Sequence, residues 1–208
     1  MRQNTLRIGT AAAAAALAIT GCSGGGSHEG HSEEGGSHEE HSASSSPSYE
    51  DVNQADVDYA RGMIMHHEQA VEMSDIVLKK SGVDPEVSTM ATKIKKAQKA
   101  EVKEMQSWLE DWGEDTSDHG GHGESGGGGM DHEGMVSPED IAELKKADGK
   151  RASQLFLDQM IEHHQGAVTM AEDHRREGEN STAVDLSATV IKDQKAEIKE
   201  MREMRASL

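Results

Sequence analysis

The chain has 208 residues, a formal net charge of −18 and only 34% hydrophobic residues. That balance excludes the basic surface that nucleic-acid phosphates require and favours cations near the protein. Low hydrophobicity together with 22 glycines points to one or two small domains, a modest folded core joined to polar segments that bury little.

In chain order, Arg2 and Arg7 come first, around the start of the apolar run "IGTAAAAAALAIT" (8–20), which is too short to cross a bilayer as a helix. Charged start, short apolar run and small residues follow the pattern of a secretory signal. The end of that run, "LAITGC" (17–22), resembles a bacterial lipoprotein signal, with the sole cysteine directly after a glycine. The resemblance implies a signal peptide over 1–21 and lipid attachment at Cys22. The product would be an extracytoplasmic protein held to the cell membrane by its N-terminal lipid. An ordinary secretion signal with an incidental cysteine is the alternative. A single cysteine excludes an intramolecular disulfide in either case.

Residues 22–50 read as a Gly/Ser/His/Glu-rich tether without apolar periodicity, and 113–136 read as a linker of the same character. Between and after them lie two copies of one unit, 51–112 and 137–208. "MIMHHEQAVEM" (63–73) matches "MIEHHQGAVTM" (160–170) at an offset of 97, and "QKAEVKEM" (98–105) matches "QKAEIKEM" (194–201) at 96. The one-residue difference falls between the motifs, where "SGVDP" (81–85) and "EGENS" (177–181) read as loops. Each unit therefore reads as a helical hairpin. In the first, Tyr59, Met63, Ala70, Ser74 and Val77 share one helical face, and Phe156, Leu157, Met160 and Ala167 share it in the second. "SPED" (137–140) supplies a capping serine and a proline at the first helical position, and Gly149 separates a short lead-in helix from a long one. Two such hairpins bury their stripes only against each other. The fold class is all-α: a four-helix, ferritin-like bundle made of two duplicated helical hairpins forming one bundle.

His66 and His67 flank the apolar face on either side, as do His163 and His164. Gln98 and Glu101, and likewise Gln194 and Glu197, fall inside the apolar stripe of the partner helices. Counted from the loop centres, the histidines and the Gln-Glu pairs reach equal heights, so they form one polar layer, built twice. A buried carboxylate needs a partner. A hydrogen-bonded layer that fixes bundle register supplies one reading. A metal site supplies the other, since imidazole with thioether is a soft donor combination suited to copper, especially Cu(I).

Seven of the twelve histidines lie in the tether and linker, as "HEGH" (28–31), "HEEH" (38–41), "HGGH" (119–122) and His132, and His132 is flanked by Met130 and Met135. Such tracts suit metal binding, with a merely solvated acidic linker as the alternative. His174 lies on the buried face without a counterpart, because Val77 occupies its matching position. It is read as core or accessory.

The MIxHH helices paired with QKAExKEM resemble the ferritin-like domain-of-unknown-function family 305 over residues 51–208. That resemblance implies a four-helix bundle in a secreted or membrane-anchored bacterial protein, some relatives being envelope copper-binding proteins with methionine and histidine ligands. Carried onto this chain, it implies Met63, His66, His67 and Met73, and Met160, His163, His164 and Met170, as metal residues. Glu101 and Glu197 join them from the layer argument. The expected function is an extracytoplasmic, lipid-anchored protein that binds copper as Cu(I) or Cu(II), or silver, for sequestration or hand-over in metal tolerance. Its partners are metal ions and, through the lipid, the membrane; oligomeric state is left open. No enzymatic activity is expected. A metal-free envelope protein that scaffolds partners is the alternative. A di-metal oxidase has less support, since the core helices lack Glu-x-x-His.

Overall fold

The computed structural model describes residues 51–114 and 134–208. Five helices run in the order α1 (Gln54–Leu78), α2 (Pro85–Asp111), α3 (Pro138–Lys146), α4 (Gly149–Glu177) and α5 (Ser181–Ser207). Each begins at a residue suited to the task. Asn53 caps α1 in a reciprocal capping box with Asp56, while Asp84, Ser137, Asp148 and Asn180 cap the others. Pro85 and Pro138 occupy first-turn positions where no hydrogen bond is lost. α3 is the expected lead-in helix, and Gly149 opens α4. A Cβ on Gly149 would lie 2.1 Å from the Ser81 carbonyl oxygen, so a side chain there would push the start of α4 off the α1–α2 loop. No helix among the described residues is long and apolar enough to cross a membrane.

The long helices form two antiparallel hairpins, α1/α2 and α4/α5. α1 and α4 also run antiparallel. At one end Asn53 Nδ2 donates to the Glu177 carbonyl (2.7 Å), and at the other Lys80 Nζ donates to the Ala147 carbonyl (2.9 Å). Midway, the rings of His66 and His163 meet with centroids 3.7 Å apart. These two residues differ by 97, the repeat offset. A pseudo-twofold axis therefore crosses the bundle between them, perpendicular to its length. α2 and α5 run antiparallel as well: Lys93 reaches Glu197 and Glu200. The histidine doublets thus mark the centre of the duplicated fold.

α2 ends beside the start of α1, where Arg61 pairs with Glu114 at 2.7 Å, whereas α4 starts at the opposite end. The two hairpins are therefore joined between opposite ends of the bundle. The described end of the connection crosses near mid-height. Gln69 donates to the Val136 carbonyl (2.9 Å) and accepts from the Val136 amide (2.8 Å), mimicking a strand neighbour. Gly134 has φ +82, and a Cβ there would meet Gly166 Cα at 2.7 Å, so glycine suits both the backbone turn and the close approach.

The apolar core divides in two. One cluster holds Met73, Val77, Met90, Ile94, Phe156, Leu157, Met160 and Met201. The other holds Tyr59, Met63, Val102, Met105, Leu109, Ala167 and Val190, with Met170 packed against it. The histidine layer lies between them.

Candidate metal centre

All four doublet histidines are buried: His67, His163 and His164 have no exposed surface and His66 has 1%. Helical geometry explains this. Adjacent residues on a helix are 100° apart, so a doublet straddling the apolar line sends one ring to each side of it, both inward. His66 and His163 point toward the pseudo-twofold axis and contact each other. His67 and His164 point toward the partner helix of their own hairpin. There His67 Nε2 lies 2.7 Å from Glu101 Oε2, and His164 Nε2 lies 2.9 Å from Glu197 Oε2. The equal-height argument from loop centres is therefore realised to within hydrogen-bond distance in both copies.

Electrostatics set the protonation of the second pair. Burial, above all, pushes the His164 imidazole below its ordinary value, although Glu197 pulls the other way. Burial works to raise the Glu197 carboxyl, but the His164 bond and the Lys93 ammonium outweigh it and hold it lower than usual. Both directions describe one state: an ionised carboxylate accepting from the Nε2–H of a neutral imidazole, whose Nδ1 then carries a lone pair. His163 is held well below the ordinary value by burial first, then by His66, His164 and His67, with the His66 backbone opposing slightly.

The remaining donors and acceptors of the layer are largely unmatched. No protein atom meets hydrogen-bond geometry with Nδ1 of His67 or His164, with either nitrogen of His163, with either amide atom of Gln98, or with Oε1 of Gln194. A buried polar group left unpaired costs about 1–3 kcal/mol.

The methionines fall above and below this layer rather than within it. Met63 is one turn before His66 and Met160 one turn before His163; because α1 and α4 are antiparallel, the two lie on opposite sides of the layer. Met73 and Met170 are farther out. The apolar clusters pair them across repeats, Met63 with Met170 in one and Met73 with Met160 in the other. Each side of the layer thus has one near sulfur and one far. Glu101 and Glu197 lie behind the imidazoles, on the side away from Nδ1. Among the described residues, no three His, Cys, Asp or Glu side chains converge closely enough to hold a metal ion.

Sequence reasoning missed one buried cluster. Asp56 is completely buried and accepts from His174 Nε2 (2.9 Å) and from the amides of Asn53, Glu179 and Asn180. His174 Nδ1 meets Ser187 Oγ at 2.6 Å, and its ring stacks on Tyr59 at 4.0 Å. Burial works to raise the Asp56 carboxyl, but these bonds together hold it below its ordinary value. Burial drives the Tyr59 hydroxyl upward. The available signal was Asn-x-x-Asp at 53–56, a capping-box pattern ahead of an apolar run. Cys22, the tether, and His119, His122, Met130 and His132 lie outside the described residues.

Comparison with known proteins agrees with this architecture. A DUF305 protein from Streptomyces coelicolor is 31% identical with TM-score 0.65, over 74% of this chain and 91% of its own. A DUF305 fragment from Deinococcus radiodurans is 26% identical with TM-score 0.65, over 76% and 99%. CopM in its Cu(I)-bound form is 28% identical with TM-score 0.58, over 73% and 96%. No curated protein matches. The family described as "Domain of unknown function (DUF305)" matches residues 56–205, and the chain belongs to it.

Proposed function

We propose that the chain binds Cu(I), and silver as Ag(I), in two pseudo-twofold-related half-sites at the histidine layer, for sequestration or hand-over outside the cytoplasm. The observation that carries this reading is the state of His67 and His164. Each ring gives one nitrogen to a carboxylate and presents the other, buried, to no protein partner. Histidine ligands to metals characteristically donate their second N–H to a carboxylate, which fixes the tautomer and strengthens the ligating nitrogen. Nδ1 of His67 and of His164 are accordingly the proposed ligating atoms. His66 and His163 stand between the halves, and Met63 and Met160 supply the nearer thioethers. Thioether with imidazole favours a soft monovalent ion over harder divalent ones. Glu101 and Glu197 are then orienting groups rather than ligands. Met73 and Met170 become outer donors.

Similarity to CopM, solved in Cu(I)-, Cu(II)- and Ag-bound forms at 28–29% identity, supports a metal-handling role. The Streptomyces relative is described as a candidate secreted protein, which supports the extracytoplasmic reading. Lipid attachment at Cys22 rests on the signal-like "LAITGC". We infer no catalytic role: the layer offers two carboxylates, both held by histidines, where a di-metal oxidase needs four.

The test is an equilibrium titration with Cu(I), Cu(II) and Zn(II), comparing the wild type with His67→Gln/His164→Gln. Cu(I) affinity of the helical site falls at least about tenfold, as removal of a principal ligand requires. Unchanged affinity in a folded variant would move the metal off the layer and leave a partner-binding bundle as the better reading.

A further inference from the structure

The two His–Glu pairs are copies in sequence but differ in surroundings. We propose that Lys93 makes them inequivalent, so that the His67–Glu101 half takes a soft cation first and the His164–Glu197 half second. This rests on the metal-binding reading above and adds an order of filling to it.

Lys93 Nζ, on α2, lies 3.5 Å from Glu197 Oε1 and 3.7 Å from Glu200 Oε2 on α5. The lysine side chain is 58% exposed and that of Glu197 only 9%, so the ammonium sits where the carboxylate meets solvent. The repeat offset of 96 maps Lys93 to Thr189, Glu197 to Glu101 and Glu200 to Glu104. Thr189 is exposed and turns its hydroxyl back to the Asp185 carbonyl at 3.1 Å. It brings no charge to Glu101. Among the described residues, Glu101 forms an ion pair with His67 alone, and its side chain is 21% exposed. Duplication thus left one half capped by a cation and the other open.

Two effects of the cap act in the same direction. A carboxylate behind a histidine makes the ligating nitrogen more basic, and an ammonium on that carboxylate draws charge away from it. The same ammonium also opposes a cation held at the His164 ring through its own charge. Because Lys93 is more than half exposed, the effect is small, about 2- to 5-fold in affinity, in keeping with solvent-screened ion pairs.

The experiment follows the ring nitrogens of His67, His164 and His174 by NMR in full-length, histidine-labelled protein titrated anaerobically with Cu(I) against a competing chelator. His67 is expected to reach half-saturation at about 2- to 5-fold lower free Cu(I) than His164. Lys93→Gln should bring the two curves together by strengthening His164. Thr189→Lys should do so by weakening His67. Both substitutions are at exposed positions, and the paired His174 ring reports that the fold persists. Coincident curves in the wild type, or a gap that survives both substitutions, would overturn the inequivalence alone. Rings that never respond to Cu(I) would overturn the metal reading and this inference together.

Discussion

Two buried histidine clusters occupy the same core and obey opposite rules. Around His174 both ring nitrogens are matched, to Asp56 and Ser187, and Asp56 is matched in turn by three backbone amides. That cluster fastens the α4–α5 loop to the start of α1. In the histidine layer each carboxylate-bound ring leaves its Nδ1 without a protein hydrogen bond. The His174 ring is fully matched within the protein, whereas the carboxylate-bound rings of the layer each keep a nitrogen free of protein partners, the position the proposed metal would take. Histidine on a core face therefore carries no function by itself, and the two clusters differ in how fully the protein matches the ring nitrogens.

The largest expected effect breaks the fastener. Asp56→Ala strands the imidazole and the loop amides, and should cost about 3–5 kcal/mol in denaturant unfolding, as loss of one partner from a buried pair does. Cu(I) affinity of the layer should survive wherever the variant is folded. The opposite sign is expected at the layer. His163→Leu removes two unmatched nitrogens and should leave the metal-free protein between unchanged and about 2 kcal/mol more stable. A loss of several kcal/mol in the same assay would show that the layer is already complete.

Acid separates the clusters further. The His163 and His164 values are lowered by folding, so below the ordinary imidazole value the unfolded chain takes up protons that the folded chain refuses. Stability contributed by these neutral rings is therefore present at higher pH. It is lost as pH falls from that ordinary value toward the lowered ones, at up to about 1.4 kcal/mol per pH unit for each ring. Asp56, also lowered, contributes above the ordinary aspartate value and loses its contribution only as pH falls through its native value. Denaturant midpoints between pH 7 and 5 should decline in the wild type and decline less in His163→Leu. Asp56→Asn should alter only the more acidic limb.

The bundle, its duplication and the level of the layer were legible because they depend on spacing alone. A helical period places the doublets inward, and equal loop-to-motif counts place Glu101 opposite His67. The arrangement of the sulfurs about the layer was less legible. Met63 and Met73 stand in one motif, yet their ten-residue separation puts them on opposite sides of the layer, and antiparallel packing of α1 and α4 pairs Met63 with Met170 instead. Such pairing depends on how hairpins dock, which no single motif encodes. Asp56 was missed for the same reason: its partners, Glu179 and Asn180, are 123 and 124 residues away. The position of Glu101 relative to Nδ1 depends on a ring orientation that spacing leaves open.

The smallest expected effect sharpens the distinction among sulfurs. Met73→Leu/Met170→Leu removes the outer pair and should change Cu(I) affinity by less than removal of the inner pair does, in the same competition titration. Equal losses would place all four sulfurs at the metal.

The inner pair gives the most direct test. Leucine nearly matches methionine in volume, so each exchange at Met63 and Met160 should cost under about 1.5 kcal/mol while removing the sulfur. Cu(I) affinity of the helical site, measured by chelator competition in Met63→Leu/Met160→Leu, should fall at least about tenfold, with Zn(II) binding little changed, because only the soft ion depends on the thioether. Unchanged Cu(I) affinity in a well-folded double variant would contradict the account: those sulfurs would be packing, and the MIxHH helices would hold copper, if at all, without them.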